Sequence, residues 1–129
     1  MKASVLILIA EDEADIRLVL QAAFEEGGFE VLLTSSGEEA IAALDAMGDD
    51  VRALLTDIKL GSNSSGWDVA RHGRGLNPDL PVVYMSGADG HDWAALGVPN
   101  SVLITKPFAP AQALTAVSQL LNVGNTPGA

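Results

Sequence analysis

The sequence predicts an α/β fold built on a parallel sheet, and three observations support this prediction. Short apolar runs of strand length alternate with segments whose apolar residues recur at helical spacing, which is typical of βαβ units. The apolar runs are nearly continuous in Val, Ile and Leu, as expected for strands covered by helices on both faces. Five strand–helix pairs can be traced, and right-handed crossovers then leave only a few doubly wound topologies. We therefore expect a (βα)5 domain.

The strands are assigned to the runs richest in aliphatic side chains, bounded by Gly, Pro or charged residues. In chain order they are predicted at residues 4–10, 29–34, 52–56, 81–85 and 102–105. The helices are assigned to the segments with an apolar residue every three to four positions. In the same order they are predicted at residues 14–26, 37–47, 67–74, 90–96 and 110–122.

Local residues mark where three of these helices begin or end. Gly27 and Gly28 end helix 1, because glycine suits the backbone that closes a helix. Ser36 and Glu39 have the spacing of a capping box, which places the start of helix 2 between them. Pro110 suits the first turn of helix 5, where its missing N–H is not needed.

The remaining helices and the chain ends complete the domain organisation. A flexible loop is expected at residues 60–66, before a short helix 3 that is weakened by Gly73 and Gly75. Helix 4 is expected to be shorter still. We predict a single domain at residues 1–122, followed by a flexible C-terminal tail at 123–129.

Composition excludes several functions. A chain of 129 residues with 17 acidic and 7 basic residues lacks the basic surface that nucleic acids or anionic membranes require. With no cysteine, disulfides and thiolate metal sites are excluded. No apolar run is long enough to span a membrane, and the N-terminal run is interpreted as a strand and not as a signal peptide. We therefore expect a cytoplasmic protein.

Four of the predicted strands end in polar or charged side chains. Strand 1 runs into Glu11 and Asp12, and strand 3 runs into Asp57. Strand 4 ends in Ser86, and strand 5 runs into Lys106. Because the carboxyl ends of parallel strands share one edge, where open α/β sheets place their chemistry, we expect these groups to lie together. Each residue alone is compatible with a helix cap or a turn, so the prediction depends on the joint pattern.

The chemistry of this edge follows from its charges. Three carboxylates repel one another unless a cation intervenes, and the single ammonium of Lys106 cannot balance three negative charges. A hard divalent cation with oxygen ligands, such as Mg²⁺, suits the site. Asp57 is then a candidate nucleophile towards phosphoryl groups, and Ser86 and Lys106 can bind the phosphoryl oxygens.

The four strand-end segments carry a resemblance to a known family. Residues 8–13, 55–58, 85–88 and 105–108 together resemble the signature of response regulator receiver domains, the CheY-like family. The resemblance extends over nearly the whole predicted domain. It implies a flavodoxin-like fold with a five-stranded parallel sheet in the order 2-1-3-4-5.

The resemblance also implies roles for individual residues at the phosphorylation site. Asp57 corresponds to the phosphoacceptor of the family. Asp12 corresponds to a direct Mg²⁺ ligand, and Glu11 to an acidic residue that holds the ion largely through water. Lys59, two positions after the acceptor, would contribute its backbone carbonyl to the metal.

The same resemblance assigns the switching residues and shows where this chain departs from the family. Ser86 matches the switch hydroxyl, and Lys106 matches the lysine that pairs with the phosphoryl group and precedes a cis Pro107. Leu103 stands where the family has an aromatic switch residue. The loop after the acceptor has Gly61, lacks the usual proline and is one residue longer. Helix 4 is also shortened, so we expect the signal to reach the surface by backbone movement in the loop after strand 4 and in helix 4.

The function implied by the resemblance is that of a signalling module. It accepts a phosphoryl group on Asp57 from a histidine kinase or histidine phosphotransfer protein and presents a changed helix 4–strand 5–helix 5 face to a downstream protein. It would catalyse only its own phosphotransfer and autodephosphorylation, either as a stand-alone domain or as part of a hybrid kinase. One alternative is a phosphatase of haloacid-dehalogenase type. Such enzymes have a second acid two residues after the nucleophile, and Lys59 occupies that position here, which argues against this alternative. The other is a receiver-like module that binds partners without phosphorylation.

Overall fold

The computed structural model describes residues 4–87 and 90–125. Within them, five parallel strands form one sheet in the order β2-β1-β3-β4-β5, which confirms the predicted fold class and strand order. The strands are β1 Leu6–Ala10, β2 Glu30–Thr34, β3 Val51–Asp57, β4 Val82–Ser86 and β5 Val102–Thr105.

Five α-helices alternate with the strands in the described part of the chain. They are α1 Ala14–Glu26, α2 Gly37–Met47, α3 Gly66–Leu76, α4 Trp93–Leu96 and α5 Pro110–Asn125. A 3₁₀ turn at Gly90–Asp92 leads directly into α4. None of the described helices combines the length and the apolar character that crossing a membrane requires.

The sheet separates two hydrophobic cores, because successive residues of a strand point to opposite faces. The core on the side of α2 and α3 includes Leu8, Leu54, Tyr84, Leu44 and Val69. The core on the side of α1 and α5 includes Ile9, Leu55, Met85, Phe24 and Val117. Burial on both faces explains the near-continuous apolar runs of the central strands.

Helix α3 is longer than predicted, and its glycines do not shorten it. A side chain at Gly73 would meet Leu80 Cδ2 at 2.7 Å, so this glycine permits close packing of the helix. The helix begins at Gly66, one residue before the predicted start. A complete capping box of Ser65 and Asp68 precedes its first turn. Packing and capping therefore outweigh the low helix propensity of glycine.

The other differences lie at helix ends. α5 continues to Asn125, so residues 123–125 of the expected tail are helical, and residues 126–129 lie outside the described part. α4 occupies only the second half of the predicted helix, because a 3₁₀ turn takes the first half and Gly97 adopts an extended backbone that ends it. The predicted bounds of the other elements agree with the structure to within two residues.

The predicted capping box of α2 is only half formed. The Ser36 hydroxyl accepts a hydrogen bond from the Glu39 backbone N–H at 3.1 Å. The Glu39 carboxylate, however, accepts from the backbone N–H of Ser35 at 2.7 Å, one residue earlier than a capping box requires.

Candidate functional site

Three carboxylates meet at the carboxyl edge of the two central strands. Glu11 and Asp12 follow β1, and Asp57 ends the neighbouring strand β3. One oxygen of each carboxylate lies within 4.8 Å of one oxygen of the others. Glu11 is fully buried, Asp57 is nearly buried, and Asp12 is exposed. The predicted acidic cluster is therefore present, with one member open to solvent.

Lys106 reaches this cluster from the end of the edge strand β5. Its Nζ donates to Asp57 Oδ2 at 2.8 Å and to Glu11 Oε2 at 3.1 Å. Burial disfavours the ammonium, but the hydrogen bonds and negative charges of the two carboxylates outweigh burial and hold the pKa of Lys106 above its ordinary value. Lys106 is thus a permanent cation bridging two acids.

Glu11 is the fully buried member of the cluster and carries a strongly shifted pKa. Its pKa is raised from 4.5 to about 7, mainly by burial and also by the charge of Asp57, against the lowering effects of the Glu13 backbone N–H and of Lys106. The Glu13 N–H donates to Glu11 Oε1 at 3.1 Å. Lys106 alone therefore does not neutralise the acidic cluster at neutral pH.

A solvent-open cleft of about 330 Å³ lies above the cluster. Its lining includes Asp12, Asp57, Lys59, Ser86 and Lys106. Five of the six residues predicted for the site therefore face one cleft, and Glu11 contributes from below. Ser86 is buried at the cleft wall, and its Oγ has no hydrogen-bond partner among the described residues. A buried hydroxyl without a partner is costly, which indicates a position prepared for a ligand atom.

The loop after Asp57 shapes the other side of the cleft. The backbone N–H of Lys59 donates to Asp57 Oδ1 at 3.3 Å. Gly61 has a φ of 63°, and a side chain there would meet Asp12 Oδ2 at 3.2 Å. Glycine is thus favoured by the backbone and allows the loop to pass close to Asp12. The peptide bond between Lys106 and Pro107 is cis, as the resemblance implied.

Two supporting residues were not identified from the sequence. Gly66 begins α3 so close to β3 that a Cβ would fall 2.1 Å from the carbonyl oxygen of Asp57, and its N–H donates to the Ile58 carbonyl at 2.8 Å. Arg17 in the first turns of α1 donates from Nη1 to the backbone carbonyl of Glu11 at 2.8 Å. Arg17 lies one helical turn into α1 and faces an acidic loop, and this position was the sequence signal that could have identified it. Gly66 had none, because its role depends on packing between distant segments.

The overall fold and the sequence are similar to those of known proteins. A response regulator receiver protein from Sinorhizobium medicae has a crystal structure that matches with a TM-score of 0.88 and 44% identity, over 92% of this chain and 95% of that chain. A response regulator receiver domain protein from Clostridium thermocellum matches in fold, with a TM-score of 0.84 at 24% identity, over 94% of this chain and 97% of that one.

Sequence relatives give the same result. The response regulator SaeR of Staphylococcus aureus is 31% identical over 117 residues, which are 89% of this chain and 50% of that protein. This chain therefore spans about half the length of the curated relatives it matches. The model of the response regulator receiver domain family matches residues 7–118. The chain belongs to the response regulator receiver domains, the signalling modules of two-component systems.

Proposed function

We propose that Asp57 accepts a phosphoryl group from a phosphohistidine donor and that this modification changes the surface which partners bind. The observation that carries this proposal is the position of Asp57. Its carboxylate faces a solvent-open cleft and is held by the Lys106 ammonium at 2.8 Å. A nucleophile needs access to its substrate and a fixed orientation, and both conditions are met here.

The donor set suits Mg²⁺. Carboxylate oxygens of Asp12 and Asp57, with Glu11 behind them, offer hard oxygen ligands within a few ångströms, and the backbone carbonyl of Lys59 is our candidate for a further ligand. Exposure of Asp12 leaves room for the waters that this ion retains. When bound, the ion supplies positive charge that offsets the repulsion between the carboxylates and an incoming phosphoryl group.

The residues of the chain would act in sequence on the phosphoryl group. A carboxylate oxygen of Asp57 attacks phosphorus, and the bond from phosphorus to the donor imidazole nitrogen breaks. Lys106 then transfers its hydrogen bond from the carboxylate to a phosphoryl oxygen, where a charge-assisted hydrogen bond is strong. The Ser86 hydroxyl, which lacks a partner among the described residues, donates to another phosphoryl oxygen. On this proposal the domain catalyses only its own phosphotransfer and autodephosphorylation.

The partners follow from the same chemistry. We propose a histidine kinase or a histidine phosphotransfer protein as the donor, in the cytoplasm. We further propose that a downstream protein binds the face formed by α4, β5 and α5, since α4 is the shortest helix in the described part of the chain. Short elements with few buried contacts are the ones that shift most readily.

Phosphorylation by acetyl phosphate and Mg²⁺ tests the proposal, with intact-mass spectrometry as the readout. We expect the wild type to gain one phosphoryl group and Asp57→Asn to gain none. Asp92→Asn, which removes an exposed carboxylate outside the cleft, is the matched control and is expected to behave as wild type. Equal incorporation by wild type and Asp57→Asn would overturn the assignment of the acceptor. No incorporation in the wild type would favour a phosphorylation-independent module, and rapid sustained turnover of acetyl phosphate by the wild type that is lost in Asp57→Asn would favour a phosphatase.

A further inference from the structure

A chain of hydrogen bonds ties α4 to the centre of the sheet. Trp93 Nε1 donates to Ser101 Oγ at 2.9 Å, and Ser101 Oγ donates to the Val98 carbonyl at 2.6 Å. The Val98 backbone N–H in turn donates to Tyr84 Oη at 3.1 Å. We refer to Trp93, Ser101, Val98 and Tyr84 as the α4 clamp. It links the first residue of α4 to a fully buried side chain of β4.

The clamp is needed because α4 has little else to hold it. The helix has only four residues, none of them buried, and a single turn is not stable on its own. The indole also packs against Gly97, where a Cβ would lie 2.5 Å from Trp93 Cδ1. The half-buried Trp93 is therefore the side chain that fixes the position of α4.

The other end of this region lies close to the proposed phosphoryl-binding hydroxyl. Gly90 begins the 3₁₀ turn that leads into Trp93, and a Cβ on Gly90 would lie 3.2 Å from Ser86 Oγ and 3.1 Å from Leu103 Cδ2. Tyr84 stands two residues before Ser86 on β4, hence on the same face of the sheet. Rotation of Ser86 Oγ therefore changes the packing beneath the turn that carries Trp93.

Leu103 does not provide an alternative route. It is paired with Tyr84 in the register of β4 and β5, so the two side chains are neighbours on one face. Leu103 has no hydroxyl or ring to exchange between two hydrogen-bonded positions. Tyr84 has both, but it is fully buried and packs on Trp67 with ring centroids 4.8 Å apart. Of these aromatic residues, Trp93 has the exposure and the short helix that permit movement.

Resting on the proposed function, we propose that Trp93 transmits phosphorylation of Asp57 to the surface through the α4 clamp. When Ser86 Oγ turns to the phosphoryl group, the turn at Gly90 shifts, the hydrogen bond from Trp93 to Ser101 breaks, and α4 is released. The downstream protein then binds the released form. Phosphorylation shifts the population because only the released form lets Ser86 bind the phosphoryl oxygen.

Tryptophan fluorescence can measure the clamp directly. The chain has two tryptophans, so Trp67→Phe leaves Trp93 as the single indole and keeps an aromatic ring against Tyr84. Acetyl phosphate with Mg²⁺ is added, and intact-mass spectrometry records the phosphorylated fraction of the same sample. We expect the Trp93 emission to shift to longer wavelength and its quenching by acrylamide to increase in proportion to that fraction.

Two further variants in this background separate the clamp from a general loosening. Ser101→Ala removes the acceptor of the Trp93 hydrogen bond, so its emission before phosphorylation is expected to resemble that of the phosphorylated parent and to change little afterwards. Ser118→Ala removes a hydroxyl of α5 that does not belong to the clamp, and it is expected to keep the full phosphorylation-dependent shift.

The outcomes distinguish the clamp from the phosphorylation itself. Phosphate incorporated without a change in Trp93 emission overturns the clamp and leaves the proposed function intact. No incorporation in the wild type overturns both. Hydrogen exchange of the wild type keeps the test valid should Trp67→Phe fail to fold. The amide of Val98 is expected to exchange faster after phosphorylation, and unchanged protection of that amide would overturn the inference.

Discussion

Replacing either of two glycines of α3 by alanine separates helix propensity from the support of Asp57. At Gly66 the new methyl group would lie 2.1 Å from the carbonyl oxygen of Asp57 and 2.9 Å from Ile58 Cα. These are backbone atoms, which cannot rotate away, so the start of α3 and the end of β3 must separate by more than about 1 Å to reach ordinary contact distance. At Gly75 no atom lies within 4 Å of the new methyl group.

The two substitutions are therefore expected to change stability in opposite directions. Gly66→Ala should lower the free energy of unfolding by about 1–3 kcal/mol, the usual cost of overpacking. Gly75→Ala should raise it by about 0.5–1 kcal/mol, because alanine loses less backbone entropy in a helix. A displacement of about 1 Å at a reacting group lowers a rate by roughly 100-fold, and we expect that loss for Gly66→Ala in phosphorylation by acetyl phosphate.

Urea denaturation measures the two stabilities, and the rate of phosphoryl incorporation measures the second effect. Gly75→Ala should phosphorylate at the wild-type rate, since it lies at the far end of the same helix. If Gly66→Ala matched Gly75→Ala in both stability and rate, the contact between α3 and Asp57 would have no energetic or functional role. A stability loss with an unchanged rate would refute only the link to Asp57.

Three further predictions concern charge and capping. Because the folded-state pKa of Glu11 is raised from 4.5 to about 7, the free energy of unfolding of the metal-free protein should fall by up to about 3 kcal/mol as the pH rises from 4.5 to 7. Urea titrations at several pH values measure this fall, and Glu11→Gln should abolish it. Without divalent cations, Asp57→Asn should melt at a higher temperature than wild type, because it removes one of the two carboxylates that share Lys106. With Mg²⁺, only the melting temperature of the wild type should rise appreciably. A lower melting temperature for metal-free Asp57→Asn than for metal-free wild type would refute the repulsion argument. Calorimetry should show that Ser65→Ala costs about 1 kcal/mol, and that Ser36→Ala costs less, because the capping box is complete only at Ser65.

Much of this architecture could be predicted from the sequence because its signals are local. The apolar runs, which are buried on both faces, predicted the strands. The polar side chains immediately after these runs predicted the edge of the sheet at which those side chains meet. The hydrogen bond between Lys106 and Asp57 fits this geometry, because both residues lie at the carboxyl ends of parallel strands. The aliphatic Leu103 was equally visible as a departure from the family.

The remaining features depend on contacts between distant segments, which no local pattern reveals. In the sequence, Gly73 indicates a weakened helix, whereas in the structure the Leu80 side chain packs against it. The sequence predicts Gly66 as part of a loop, whereas in the structure it begins α3 beside the carbonyl oxygen of Asp57. The position of Arg17 beside an acidic loop suggests a role there, but its acceptor is a backbone carbonyl, which every residue has, so residue types do not identify the partner.

The strand order also separates strands that are paired on both sides from strands that are paired on one side. Glu11 follows β1 and Asp57 ends β3, two strands that are hydrogen-bonded on both sides, whereas Lys106 follows β5, which is bonded on one side only. The proposed acceptor therefore lies on a strand that is paired on both sides, and we expect the structure to deform more easily towards β5 and α4. We expect substitutions in β5 and α4 to change which proteins bind the domain while the proposed phosphoryl chemistry is kept. A family built on this order can acquire new outputs without rebuilding its acceptor.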